Sequence, residues 1–121
     1  MNISLKTMHF DELSPASRDA VEEKLSPIAR LLGADETTAL LELELEPAPA
    51  EGRSATPTRL VATLSFGGQV AHAEAVKPTP ESAADRVRST LEAEVRRIRG
   101  KGKSAWKRGA ERLKDMVRFG R

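Results

Sequence analysis

The sequence predicts an α+β fold of order β-α-β-β-β-α, a four-stranded mixed sheet with two helices on one face. Three observations lead there. Four short stretches alternate apolar and polar residues, the pattern of strands with one face on a core and one in water. Two helix starts, Ser14-Pro15 and Thr79-Pro80, each precede an apolar stripe at three- and four-residue spacing. A helix separates the first two strands, so these should run parallel through a right-handed crossover, and the remaining strands antiparallel.

Residues 2–8, NISLKTM, put Ile3 and Leu5 on one side and Ser4 and Lys6 on the other. After Ser14-Pro15, the residues Ala20, Val21, Leu25, Ile28, Leu31 and Leu32 form a helical stripe that ends at Gly33. Pro27 lies inside it. Its missing N–H deletes the hydrogen bond to the Glu23 carbonyl, so the sequence predicts a kink, or a restart with Ser26 as cap. TALLELELE (38–46) is the plainest strand, with Leu41, Leu43 and Leu45 on one face and Glu42, Glu44 and Glu46 on the other. PAPAEGRSATPT (47–58) reads as a mobile loop. RLVATLSF (59–66) alternates again, and Gly67-Gly68 is a tight hairpin turn into QVAHAEAV (69–76). There Ala71, Ala73 and Ala75 make a small-residue face that lets a helix approach closely.

The second helix carries the longest signal. Thr79 caps it, Pro80 suits its first position, and Ala84, Val87, Leu91, Val95 and Ile98 draw one apolar stripe. Arg86, Arg88, Arg96, Arg97 and Arg99 fall outside that stripe, and Lys101, Lys103, Lys107 and Arg108 follow. Gly100 and Gly102 are expected to end or loosen the helix, each costing about 1 kcal/mol against Ala. Beyond them Trp106, Ala110, Leu113 and Val117 recur at helical spacing. The chain therefore divides into a body, 1–103, and a basic extension, 104–121, that forms a tail or a short third helix. Trp106 reads as an anchor against the body or a partner.

Composition narrows the function. Residues 86–121 hold 13 Lys and Arg against 4 acids, a balance of +9, whereas residues 1–85 hold 7 against 14, a balance of −7. A basic end on an acidic body is an electrostatic footprint for a polyanion, or else a solvated helix and tail. With three Phe, one Trp and no Tyr, base stacking is not a major device. The absence of cysteine removes disulfides and thiolate metal sites. No apolar run approaches membrane-spanning length, and the N-terminus lacks a basic region followed by an apolar block, so a cytoplasmic protein without membrane contact is expected. Only His9 and His72 could act as imidazole bases, and neither has metal-ligand or triad-like spacing. The Glu42, Glu44 and Glu46 row is the wet side of a sheet. Nothing supports catalysis, a cofactor or a small-molecule substrate.

Three stretches carry a resemblance. ELSPASRDAVEEKL (12–25) is similar to the first helix of the ribosome hibernation-promoting factor / ribosome-associated inhibitor family, an E-[IL]-T-x-A-L-[RK]-x-x-V-x-x-K-[LF] run. GGQVAHAEA (67–75) resembles its third hairpin, and LEAEVRRIRGKGK (91–103) its L-E-R-Q-[IL]-R-K-x-K helix end. The resemblance implies a fold like a double-stranded-RNA-binding domain. It further implies binding to the small ribosomal subunit, in the channel of messenger and transfer RNA, to keep idle ribosomes inactive. Family contacts run from cations on both helices to rRNA phosphates. By position these are Arg18 and Lys24 on the first helix, and Arg96, Arg97, Arg99, Lys101 and Lys103 at the end of the second. Arg86, Arg88, Lys107 and Arg108 extend the candidate RNA-binding set. The chain also departs from the family: Glu81 takes the place of a tyrosine, and Thr90 and Ala93 replace a lysine and an arginine beside the L-E pair.

Two other readings stand beside ribosome binding. The extension could dock in a partner's groove through Trp106, Leu113 and Val117, or the chain could bind any RNA duplex. Self-association is left open by the sequence.

Overall fold

The computed structural model describes residues 1–8, 13–48 and 57–118, with backbone alone from residue 101 onward. Its strands are β1 (Asn2–Thr7), β2 (Leu40–Pro47), β3 (Thr58–Phe66) and β4 (Gln69–Lys77), side by side in that order. β1 runs parallel to β2, and the other neighbours are antiparallel. With α1 (Pro15–Leu25) and α2 (Pro80–Arg118) the order is β-α-β-β-β-α, as the patterning predicts.

Alternation decides which face is covered. Leu41, Leu43 and Leu45 of β2, Leu60, Ala62 and Leu64 of β3, and Ala71, Ala73 and Ala75 of β4 are all buried. They share one core with Val21 and Leu25 of α1 and with Ala83, Ala84, Val87, Leu91 and Val95 of α2. α2 lies on β4 and β3, and α1 packs beside it. A buried leucine contributes roughly 1.5–3 kcal/mol, so the leucines of β2 and β3 supply the sheet's main share of the apolar stabilisation. The alanines of β4 contribute proximity instead. On the opposite face Glu42 and Glu44 remain in water.

The helix starts form as read. Ser14 Oγ accepts from the Ser17 N–H at 3.1 Å. Thr79 Oγ1 accepts from the Ser82 N–H at 3.1 Å while Ser82 Oγ accepts from the Thr79 N–H at 3.2 Å. That reciprocal pair is a capping box built with serine.

Elsewhere the backbone differs from expectation. α1 stops at Leu25, and the chain continues as two 3-10 helices, Ser26–Leu31 and Gly33–Thr38. Ser26 does not cap the new segment; its hydroxyl donates to the Glu23 carbonyl at 3.0 Å. This is the carbonyl that Pro27 leaves without a helical donor, so the serine satisfies the vacancy the proline creates. The stripe survives the change of helix type, because Ile28 and Leu32 are both fully buried. Gly33, at φ 57°, turns the chain without ending helical structure. Thr38 stays out of β2 because the second 3-10 helix holds it, with the Ala39 N–H donating to Glu36 at 3.4 Å. At its other end the sheet reaches further than expected, for Pro47 pairs with Thr58 and the Ala48 N–H donates to Pro57 at 2.8 Å. The rest of the expected loop, residues 49–56, and His9 lie outside the described residues.

The largest correction concerns α2. It passes through Gly100 and Gly102 as one helix of 39 residues, so neither a tail nor a separate third helix forms up to Arg118. Extending an existing helix avoids nucleation, which outweighs the penalties of Gly100, Gly102 and Gly109, about 1 kcal/mol each. At 1.5 Å per residue, the part beyond Gly100 adds about 27 Å.

Candidate nucleic-acid interface

The cations of α2 are distributed by its packing. Ala84, Val87, Leu91 and Val95 face the sheet, which turns the intervening arginines outward. On the α1 flank, Lys24 Nζ meets Asp85 Oδ1 at 2.9 Å and ties the two helices together. Ala20, Glu23, Lys24 and Arg88 line a groove there. Arg88 Nε donates to Glu92 Oε1 at 2.6 Å, and Arg96 approaches the other oxygen of Glu92 at 3.5 Å. One carboxylate thus sits between two guanidiniums a helical turn to either side.

A second groove lies nearer the middle of α2, lined by Leu31, Val95, Arg96, Arg99 and Gly100. Arg99 is anchored in it: its Nη1 donates to the Leu32 carbonyl at 2.7 Å, at the end of the first 3-10 helix. Arg97 points elsewhere and pairs with Glu94, its Nε donating at 3.2 Å. The hydrogen bond from Arg97 holds the Glu94 carboxyl below the usual range, and the bond to Glu94 raises Arg97 in turn. Arg18 and Arg86 form no ion pair among the described residues.

The structure therefore brings Lys24 together with Arg88, and Arg96 with Arg99, in two separate grooves. Arg88 and Arg96 stand eight residues apart, about 12 Å along the helix. The side chains of Lys101, Lys103, Trp106, Lys107, Arg108, Leu113 and Val117 lie outside the description; their backbone belongs to α2. Sequence reading overlooked the carboxylates that occupy these cations. Glu92 and Glu94 were discoverable from three- and four-residue spacing, whereas Asp85 meets a lysine 61 positions away. Of the departures noted above, Thr90 turns its hydroxyl onto the Arg86 carbonyl at 3.0 Å, and Glu81 sits in the first turn of α2. His72 is exposed, its Nδ1 3.4 Å from Thr63 Oγ1.

This fold and this helix match known proteins. The family model for sigma 54 modulation protein / S30EA ribosomal protein matches residues 3–103. The chain belongs to this family. The hibernation-promoting resemblance read from three stretches is thus carried by the whole body of this S30EA-family chain. Among solved structures, the Thermus thermophilus Protein Y N-terminal domain is similar, with 26% identity and a TM-score of 0.65 over 81% of this chain and 99% of that one. A ribosomal subunit interface protein from Coxiella burnetii has the same fold, at 16% identity and a TM-score of 0.65, over 83% of this chain and 99% of its own. No curated protein matches the chain. The family match stops at residue 103, so the last part of α2 lies beyond it.

Proposed function

We propose that this chain is a ribosome-associated, non-catalytic inhibitor that binds small-subunit rRNA and blocks the channel of messenger and transfer RNA. The observation that carries the reading is the S30EA family match across the folded body. It is supported by the likeness to a ribosomal subunit interface protein and by the cationic flank of α2. In this reading Lys24, Arg88, Arg96, Arg97 and Arg99 exchange their carboxylate or carbonyl partners for phosphates, with Arg18 and Arg86 joining them. Lys101, Lys103, Lys107 and Arg108 extend the contact along the last part of α2. Guanidinium suits this task because its planar fork meets two phosphate oxygens at once. Recognition rests on RNA shape and phosphate spacing, so affinity should fall steeply with salt through counterion release.

The test is co-sedimentation with small ribosomal subunits at low and moderate salt, with excess duplex RNA as competitor. Binding that duplex RNA does not displace supports the reading. Absence of binding, or ready displacement, overturns it in favour of general duplex affinity. Truncation after Lys103 separates the remaining alternative: a partner-docking helix anchored by Trp106, Leu113 and Val117 would lose its partner, while a ribosome binder would keep most of its subunit affinity.

A further inference from the structure

β4 is an edge strand, and its outer side is unusually plain. It runs for nine residues in unbroken register with β3, without a bulge or an internal proline, and Lys77 is its lone lysine, at the very end. Natural sheets usually blunt such an edge with those devices, because its free N–H and C=O groups invite another strand. The two large apolar side chains left exposed among the described residues, Val70 at 60% and Val76 at 50%, both lie on β4.

The hairpin fixes which backbone groups are free. Gly67 and Gly68 both have positive φ, 51° and 75°, so the two-residue turn closes on Phe66 and Gln69 as a hydrogen-bonded pair. Counting from there, Gln69, Ala71, Ala73, Ala75 and Lys77 bond inward to β3, and Val70, His72, Glu74 and Val76 direct their backbone groups outward. An antiparallel neighbour must match outward residues with outward residues.

We propose that a second copy of this chain pairs with β4 along this edge, about a two-fold axis at Ala73. That register sets Val70 against Val76 of the other copy and His72 against its Glu74. On the inner face it sets Ala71 against Ala75. Each apolar side chain meets its like, and each outward backbone group finds a donor or acceptor. The arrangement is self-complementary, as a two-fold interface requires. Moving the axis to His72 would put Val70 against Glu74, and moving it to Glu74 would put Val76 against His72. Both forfeit the valine pairs. The two four-stranded sheets would join into one of eight strands, with the two α2 helices, which lie on β4 and β3, as neighbours above the seam.

The test is sedimentation velocity of the full chain from low micromolar to the highest soluble concentration, with far-UV circular dichroism as the folding check. The wild-type chain should show a concentration-dependent monomer–dimer equilibrium. V70K/V76K places like charges opposite each other at both ends of the seam and should weaken the dimer about tenfold or more. V70E/V76K places opposite charges there and should restore it, although within one copy the two positions are too far apart to interact. A monomeric wild type at every concentration would overturn the proposal and leave the edge to a different protein's strand. Equal dimerisation of all three proteins would overturn it too.

Discussion

Arg97 and Arg99 stand two residues apart on α2 and are held in different ways. Arg99 donates to the Leu32 carbonyl and closes the end of a 3-10 helix, so it links α2 to the segment after α1. Replacing it with Ala should lower the unfolding free energy by about 1 kcal/mol, read as a shifted urea midpoint. Arg97 pairs with Glu94 at the surface, and Arg97→Ala should leave that midpoint in place while weakening subunit binding. In the proposed function, Glu94 restrains a side chain that would otherwise meet a phosphate. Its carboxyl is held low by the Arg97 hydrogen bond, so it is ionised at neutral pH and the pair breaks only as pH falls below the ordinary carboxylate range. Glu94→Gln should therefore raise subunit affinity at neutral pH and low salt by a few-fold, measured by co-sedimentation.

At the scale of elements, the hairpin and the long helix use glycine for opposite reasons. Gly67 and Gly68 both need positive φ, but a Cβ on Gly67 would come within 2.5 Å of Asp35 Oδ2, while one on Gly68 meets open space. Gly68→Ala should cost about 1–2 kcal/mol from its backbone alone. Gly67→Ala should cost more, because Asp35 must also move, and chemical denaturation of the two variants tests the order. Gly100 lies inside α2 with nothing near its Cβ. Gly100→Ala should raise far-UV helicity and stabilise the helix by about 1 kcal/mol.

Across the whole molecule, structure and charge divide at nearly the same place. Among the described side chains, Val95 is the last fully buried one of α2 and Ile98 packs at the edge of the core, whereas residues 101–121 hold 8 of the 20 Lys and Arg and 2 of the 18 acids. Truncation after Gly100 should leave the thermal transition of the body nearly unchanged. It should also flatten the salt dependence of subunit binding, by roughly 1 in slope for each phosphate that the shortened helix no longer neutralises.

Strand alternation, two capped helix starts and a Gly-Gly turn determined the element order, the pairing and the buried face from sequence alone. These signals are local, written within ten residues of the backbone they direct. The candidate cations were legible for the same reason, since a helical stripe implies what lies outside it. Only the tertiary structure decided which of them are occupied. Lys24 is taken by Asp85 and Arg99 by the Leu32 carbonyl through contacts spanning 61 and 67 positions, which no periodicity records. The same holds for Pro27, whose effect was a change of helix type with Ser26 repairing the missing bond, and for Gly100, where the helix arriving from the core carries through a residue that would stop a shorter one. Local preference sets each element's odds, and cooperativity with what is already folded settles where it ends.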